Sequence, residues 1–167
     1  MRLIAHKLGD SGRNDRLRCV RADGTACEVA MPRQRILPHD LIHAVVESRL
    51  KFSDGFIGLV AKGADIHFAA QEFHRFVDPA RHAQVAQSES LVESLQTQLW
   101  AGEFDDAAFR YGLETTCAMR GVAMPDLSRI DAETELFDVV ARLGDEWSRV
   151  PANGTWELDY PLALSGT

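Results

Sequence analysis

The stretch Arg16-Leu17-Arg18-Cys19-Val20-Arg21-Ala22-Asp23-Gly24-Thr25-Ala26-Cys27-Glu28-Val29-Ala30-Met31 decides the fold class. Two runs with strand-like alternation flank Asp23-Gly24, a dipeptide suited to the positive-φ backbone of a two-residue hairpin turn. Residues 16–22 and 25–31 are therefore expected to be antiparallel strands. A two-residue turn pairs Val20 with Cys27 and Arg18 with Val29. Side chains alternate between the faces of a strand, so Val20, Cys27, Val29 and Met31 share one face in that register. Cys19 then lies on the other face and out of reach of Cys27. The expectation depends on turn length, because a slip of one residue exchanges the faces.

Upstream, residues 2–8 read as a short strand and 9–15 as a polar loop. Asp10-Ser11-Gly12 is a turn there, with no strand-to-helix elbow to make Ser11 a nucleophile. Downstream, Pro32 ends the second strand and Pro38 opens a helix running to about residue 51. Asp54-Gly55 breaks it, and 56–62 forms a short helical piece with Gly63 as its cap. Residues 66–77 carry apolar side chains in both periods and stay ambiguous.

Three longer helices follow, over 80–100, 104–120 and 131–150, punctuated by Gly102, Gly121 and Pro151. Val85, Val92, Leu95 and Leu99 form the stripe of the first. Leu136, Phe137, Val140, Leu143 and Trp147 form that of the last. Residues 155–160 alternate Trp156, Leu158 and Tyr160 with Thr155, Glu157 and Asp159, a half-buried strand. Strands at both ends and helices between them predict an α+β fold. In it, a small antiparallel sheet, made of the N-terminal hairpin and the C-terminal strand, packs on about four helices. No linker or repeat divides residues 1–167, so a single domain is expected.

Three cysteines are too few, and odd in number, for a disulfide framework. With the polar N-terminus and the lack of any long apolar run, they point to a cytoplasmic protein that neither spans nor binds a membrane. The net charge of −7 disfavours nucleic acid as a partner. The charge is uneven. Residues 1–35 carry eight Lys and Arg against four Asp and Glu, whereas the other 132 carry ten against twenty-one. The stripe of the 80–100 helix suits either an internal bundle or a two-fold seam, and the expectation leans to a homodimer. Cys117 and most aromatic side chains of the helices, Phe104, Phe109, Tyr111, Phe137 and Trp147, sit at core spacings.

The chemistry lies in Leu37-Pro38-His39-Asp40-Leu41-Ile42-His43-Ala44-Val45-Val46-Glu47. Four residues advance about 40° on a helix, so His39, His43 and Glu47 form one line. On the helical wheel this line borders the apolar stripe of Leu41, Ile42, Val45, Val46 and Leu50. Two imidazoles one turn apart can grip one divalent metal such as zinc, as in the His-Glu-x-x-His helix of metallopeptidases. Here Asp40 stands where that motif has Glu, one methylene short for holding an attacking water. Glu47 is the expected third ligand, with His67, Glu72 and His74 as further donors from elsewhere in the chain. The bland account has Asp40 favouring the helix dipole, His43 bonding Glu47 at i,i+4, and His39 contacting a neighbouring element.

The sequence therefore predicts a metal-binding, hydrolase-like protein using His39, His43 and Glu47, with catalytic residues unassigned. The alternative is a non-catalytic module that binds a small ligand or a protein through Arg16, Arg18, Arg21, Arg33 and Arg35 of the basic hairpin region. The Leu-Pro-His-Asp-Leu-x-His-x-Val-Val-Glu segment, with Gly55-Phe56 and Ala61-x-Gly63-Ala64 after it, resembles a family of uncharacterised bacterial proteins over residues 16–65. The resemblance implies a grouping and no catalytic residues, because the family carries no assigned activity.

Overall fold

Both ends of the chain meet in one antiparallel sheet. A computed structural model describes residues 1–9, 12–67 and 75–163. The strands are β1 (Arg2–His6), β2 (Asn14–Val20), β3 (Ala26–Pro32) and β4 (Thr155–Asp159), in the order β3-β2-β1-β4. Alternation sets the two faces. Leu3, Ala5, Leu17, Cys19 and Met31 are buried on one face, beside the half-buried Cys27, Val29, Trp156 and Leu158. The other face is polar, and Arg2 pairs there with Glu157 and Arg16 with Glu28.

The hairpin register differs by one residue from the one expected. Val20 pairs with Ala26, Leu17 with Val29, and Cys19 directly with Cys27. The cause is the turn. Gly24 N–H donates to Arg21 O and Arg21 N–H to Thr25 O, and Gly24 sits at φ 84°. This makes a three-residue loop closed by a left-handed glycine, where Asp23-Gly24 alone had suggested two residues. The added residue brings both cysteines onto the inner face.

Helices cover that face. They are α1 (His39–Leu50), α2 (Phe56–Ala61), α3 (Ala83–Ala101), α4 (Asp106–Met119) and α5 (Asp138–Arg149). A 3-10 turn, Pro79–Arg81, precedes α3, and a π-turn, Glu133–Phe137, runs into α5. The fold is thus α+β, a four-stranded antiparallel sheet on a helical layer. Local chemistry sets the helix ends. Asp105 accepts from Ala108 N–H at the start of α4, and Gly102 at φ 82° stops α3. Lys7, just past β1, donates 2.9 Å bonds to the carbonyls of Trp147, Ser148 and Val150, so a cation from the sheet closes α5.

One core joins the layers. Leu3, Leu17 and Met31 of the sheet belong to the same apolar cluster as Leu41 and Val45 of α1, Leu95 of α3 and Val140 of α5. Burying each such aliphatic side chain contributes about 1.5–3 kcal/mol. The stripe residues Val92, Leu95 and Leu99 of α3 are buried within the chain itself. Phe109, Cys117 and Trp147 are core as expected, whereas Tyr111 is exposed. No helix among the described residues is long and apolar enough to cross a membrane. The Asp10-Ser11 part of the polar loop and residues 68–74 of the ambiguous segment, with Glu72 and His74, lie outside the described residues.

Candidate metal centre

Helix α1 is the central helix of the layer. It packs against both α2 and α3 and also reaches α5. Every residue from Leu41 to Glu47 is buried, so the His-His-Glu line is half-exposed only at His39 and runs inward through His43 to Glu47. A wheel shows which side chains share a face, but not that α3 covers the polar one.

Under α3 the two histidines converge. His39 Nε2 and His43 Nε2 stand 3.2 Å apart. Glu89 descends from α3 onto the same point, with Oε1 3.4 Å from His39 Nε2 and Oε2 3.1 Å from His43 Nε2. With bonds of about 2.0–2.1 Å, two ligands of a tetrahedral zinc ion lie about 3.3 Å apart. The imidazole–imidazole separation matches that edge, and Glu89 sets a different carboxylate oxygen against each ring. His39, His43 and Glu89 are the one group of three potential ligands gathered in this way among the described residues, with ligand atoms all within 4.8 Å of one another.

The far nitrogens of both rings are held. His39 Nδ1 lies 3.2 Å from Gln96 Oε1, an acceptor, so the proton of a neutral ring sits on Nδ1 and the Nε2 lone pair faces the cluster. His43 Nδ1 lies 2.9 Å from Ser88 Oγ and 3.2 Å from Glu47 Oε1. Ser88 Oγ in turn donates to Glu47 Oε1 at 2.9 Å. This outer shell fixes ring orientation and tautomer as it does around metal-bound imidazoles. The Phe56 ring packs on His43 at 5.2 Å between centroids.

Glu47 therefore faces the opposite edge of the His43 ring from the convergence point. Besides His43 and Ser88, it accepts from Ile57 N–H at 3.2 Å, Gly58 N–H at 2.8 Å and Tyr160 OH at 3.1 Å. It thus ties α1 to the start of α2 and to the end of the last strand. Gly55 makes room for it, since a Cβ there would stand 2.4 Å from Glu47 Cδ.

Burial alone would lower the His43 pKa, but hydrogen bonds to Glu47 and Glu89 outweigh it and raise the pKa to about 9. Burial likewise works against charge on His39, and Glu89 and Gln96 still leave its pKa raised. Hydrogen bonds from the two histidines hold Glu89 well below the usual carboxylate range. Burial raises the Asp40 carboxyl, while both histidines pull it down. The half-buried Glu89 carboxylate is thus the charge that faces both rings at the convergence point.

Comparison of the chain with protein-family models, curated proteins and solved structures found no match.

The structure thus brings together two of the three side chains singled out in the sequence and adds Glu89 from α3. Glu89 follows His43 by forty-six residues, in a helix whose apolar stripe draws attention elsewhere. The one signal pointing to it is its polar run, Ser88-Glu89-Ser90, which interrupts a buried helix. His67 is exposed. Three of the five arginines of the basic hairpin region are engaged by other groups of the chain, and Arg18 and Arg35 are exposed. Arg33 holds Asp15 and the carbonyls of Leu8 and Gly9, Arg21 holds those of Val60 and Ala64, and Arg16 pairs with Glu28.

Proposed function

We propose that the protein binds one divalent transition metal, with zinc the first choice, through His39 Nε2, His43 Nε2 and the Glu89 carboxylate. The observation that carries this reading is the convergence of three donor groups, two imidazole nitrogens 3.2 Å apart with a Glu89 oxygen against each, while the outer nitrogen of each ring is already bonded. Two imidazoles and one carboxylate are the ligand set of hydrolytic zinc sites and also of non-haem iron sites. A set of three protein ligands leaves a coordination position for water or substrate, whereas structural zinc sites are closed by four. The reading is therefore a metal-dependent, hydrolase-like centre in which the metal would acidify a bound water. Glu47 and Gln96 act on the rings from outside, as positioning residues.

The experiment is metal analysis of untagged protein, followed by calorimetric titration of chelator-treated protein with Zn²⁺, Mn²⁺ and Ni²⁺. One equivalent is expected to bind wild type. His39→Gln and Glu89→Gln, at the less buried ligands, should bind at least tenfold more weakly while keeping the circular dichroism spectrum. Metal binding should also raise the melting temperature, because it engages only the folded site. If no metal copurifies and none shifts the melt at hundreds of micromolar, the cluster is a proton-bridged ion pair and the proposal fails.

A further inference from the structure

We propose that Cys27 and Cys19 form a redox-active dithiol, separate from the metal centre, in which Cys27 attacks a hydroperoxide and Cys19 closes a cross-strand disulfide. The hairpin register carries this. Cys19 and Cys27 are directly opposite one another on β2 and β3 and share the inner face. Directly opposed residues of antiparallel strands have Cα atoms about 4.5–5.5 Å apart, within the span of a disulfide. Closing the bond needs no movement of the strands towards each other. Both cysteines are free thiols here.

The surroundings of the two sulfurs differ, which divides the labour. Cys19 is fully buried, whereas Cys27 is half-buried and within reach of a small oxidant. Arg21 Nη2 lies 3.6 Å from Cys27 Sγ. The guanidinium is fixed there, because Nε donates to Val60 O and Nη2 to Ala64 O, each at 2.6 Å, and Nη1 to Thr25 Oγ1 at 3.3 Å. The neighbouring Cys19 thiol and Ile66 N–H, with the positive charge of Arg21, hold the Cys27 thiol below its ordinary range despite burial, and the same pairing and burial push Cys19 up.

The chemistry balances with a hydroperoxide as oxidant. The Cys27 thiolate attacks the peroxide, forming an S–O bond and breaking O–O. The leaving alkoxide, or hydroxide from hydrogen peroxide, takes up a proton. Cys19 then gives up its proton, and its sulfur attacks Cys27 Sγ. The S–S bond forms, the S–O bond breaks, and the oxygen leaves as water. Two thiols lose two electrons, and the peroxide is reduced to an alcohol and water.

The test is chelator-treated, reduced, full-length protein exposed to stoichiometric hydrogen peroxide, so that metal-driven oxidation and the metal proposal play no part. Wild type should become lighter by two hydrogens, and trypsin should release Cys19-Val20-Arg21 linked to residues 22–33, with Cys117 still alkylatable after denaturation. Cys19→Ser should stop at a sulfenic acid on Cys27 that dimedone traps. Cys27→Ser should not react. Arg21→Gln, with its circular dichroism spectrum checked, should slow oxidation several-fold. The proposal is overturned if Cys27 oxidises no faster than a cysteine in unfolded protein. It is overturned equally if Cys19→Ser traps the sulfenic acid but wild type forms no Cys19–Cys27 bond.

Discussion

Replacing Glu47 by glutamine keeps the size and shape of the side chain and removes its charge, at a point where α1, α2, α3 and the end of the last strand meet. Oε1 accepts from Ile57 N–H, Ser88 Oγ and His43 Nδ1, and Oε2 from Gly58 N–H and Tyr160 OH. The Ser88 and Tyr160 hydroxyls can rotate to accept from an amide NH2 group. The backbone N–H groups of Ile57 and Gly58 cannot. Whichever way the amide is turned, one fixed donor faces another donor in a buried site, and the charge opposite His43 is lost. Hydrogen bonds to a charged group contribute about 1.5–3 kcal/mol each, so losing or weakening two predicts a loss of about 3–5 kcal/mol. At about 2–4 °C per kcal/mol for a chain of this size, the melting midpoint should fall by about 10 °C. The assay is urea unfolding of chelator-treated protein at pH 7, comparing midpoints at unchanged slope. Tyr160→Phe removes one donor and should cost about 1 kcal/mol. In the double variant the two losses should fall short of additivity, because the partners touch. In the titration, Glu47→Gln should also weaken metal binding about 10–100-fold, the usual cost of losing an outer-shell partner. A loss of less than about 1 kcal/mol, or strict additivity with Tyr160→Phe, would refute the assigned role of Glu47 as the joint of these elements.

In metal-free protein, the His43 pKa is raised from 6.5 to about 9, so folding favours its charged form. Its stabilisation is complete below the unfolded value and is lost as pH rises through about 9. Urea midpoints should therefore fall across that window, and a flat profile contradicts the assignment. Bound metal displaces the same protons, so its stabilising effect should grow over the same range. Gly55→Ala sets a Cβ 2.4 Å from Glu47 Cδ. It should cost about 1–3 kcal/mol by overpacking and should weaken metal binding, both read in the same denaturation and titration series. Lys7→Met removes three bonds to the carbonyls closing α5 while keeping the apolar stem. A loss of about 1–3 kcal/mol is expected by thermal unfolding, and an unchanged melt shows that water replaces the ammonium without cost.

Much of the architecture was legible because it is local. A helix line at i, i+4 follows from 3.6 residues per turn, so His39, His43 and Glu47 share a face of α1 in any fold that keeps the helix. Gly102 ends α3, and Trp156 and Leu158 alternate in β4, for reasons written within a few residues. The hairpin was placed by the same reasoning. Its register escaped because Asp23-Gly24 fits a two-residue turn and a three-residue loop alike, and the choice moved Cys19 to the face of Cys27.

What the tertiary structure decided is where each polar group of α1 is aimed, because that depends on helices distant in sequence. The crossing of α1 and α3 brings Glu89 onto the two imidazoles, and the return of α2 and the last strand occupies Glu47. A buried carboxylate goes where unpaired N–H and O–H donors are. For Glu47 these are Ile57, Gly58, Ser88 and Tyr160, supplied by three separate segments. Helical periodicity sets the side of α1 from which Glu47 leaves, and only the packed chain determines which groups it meets there.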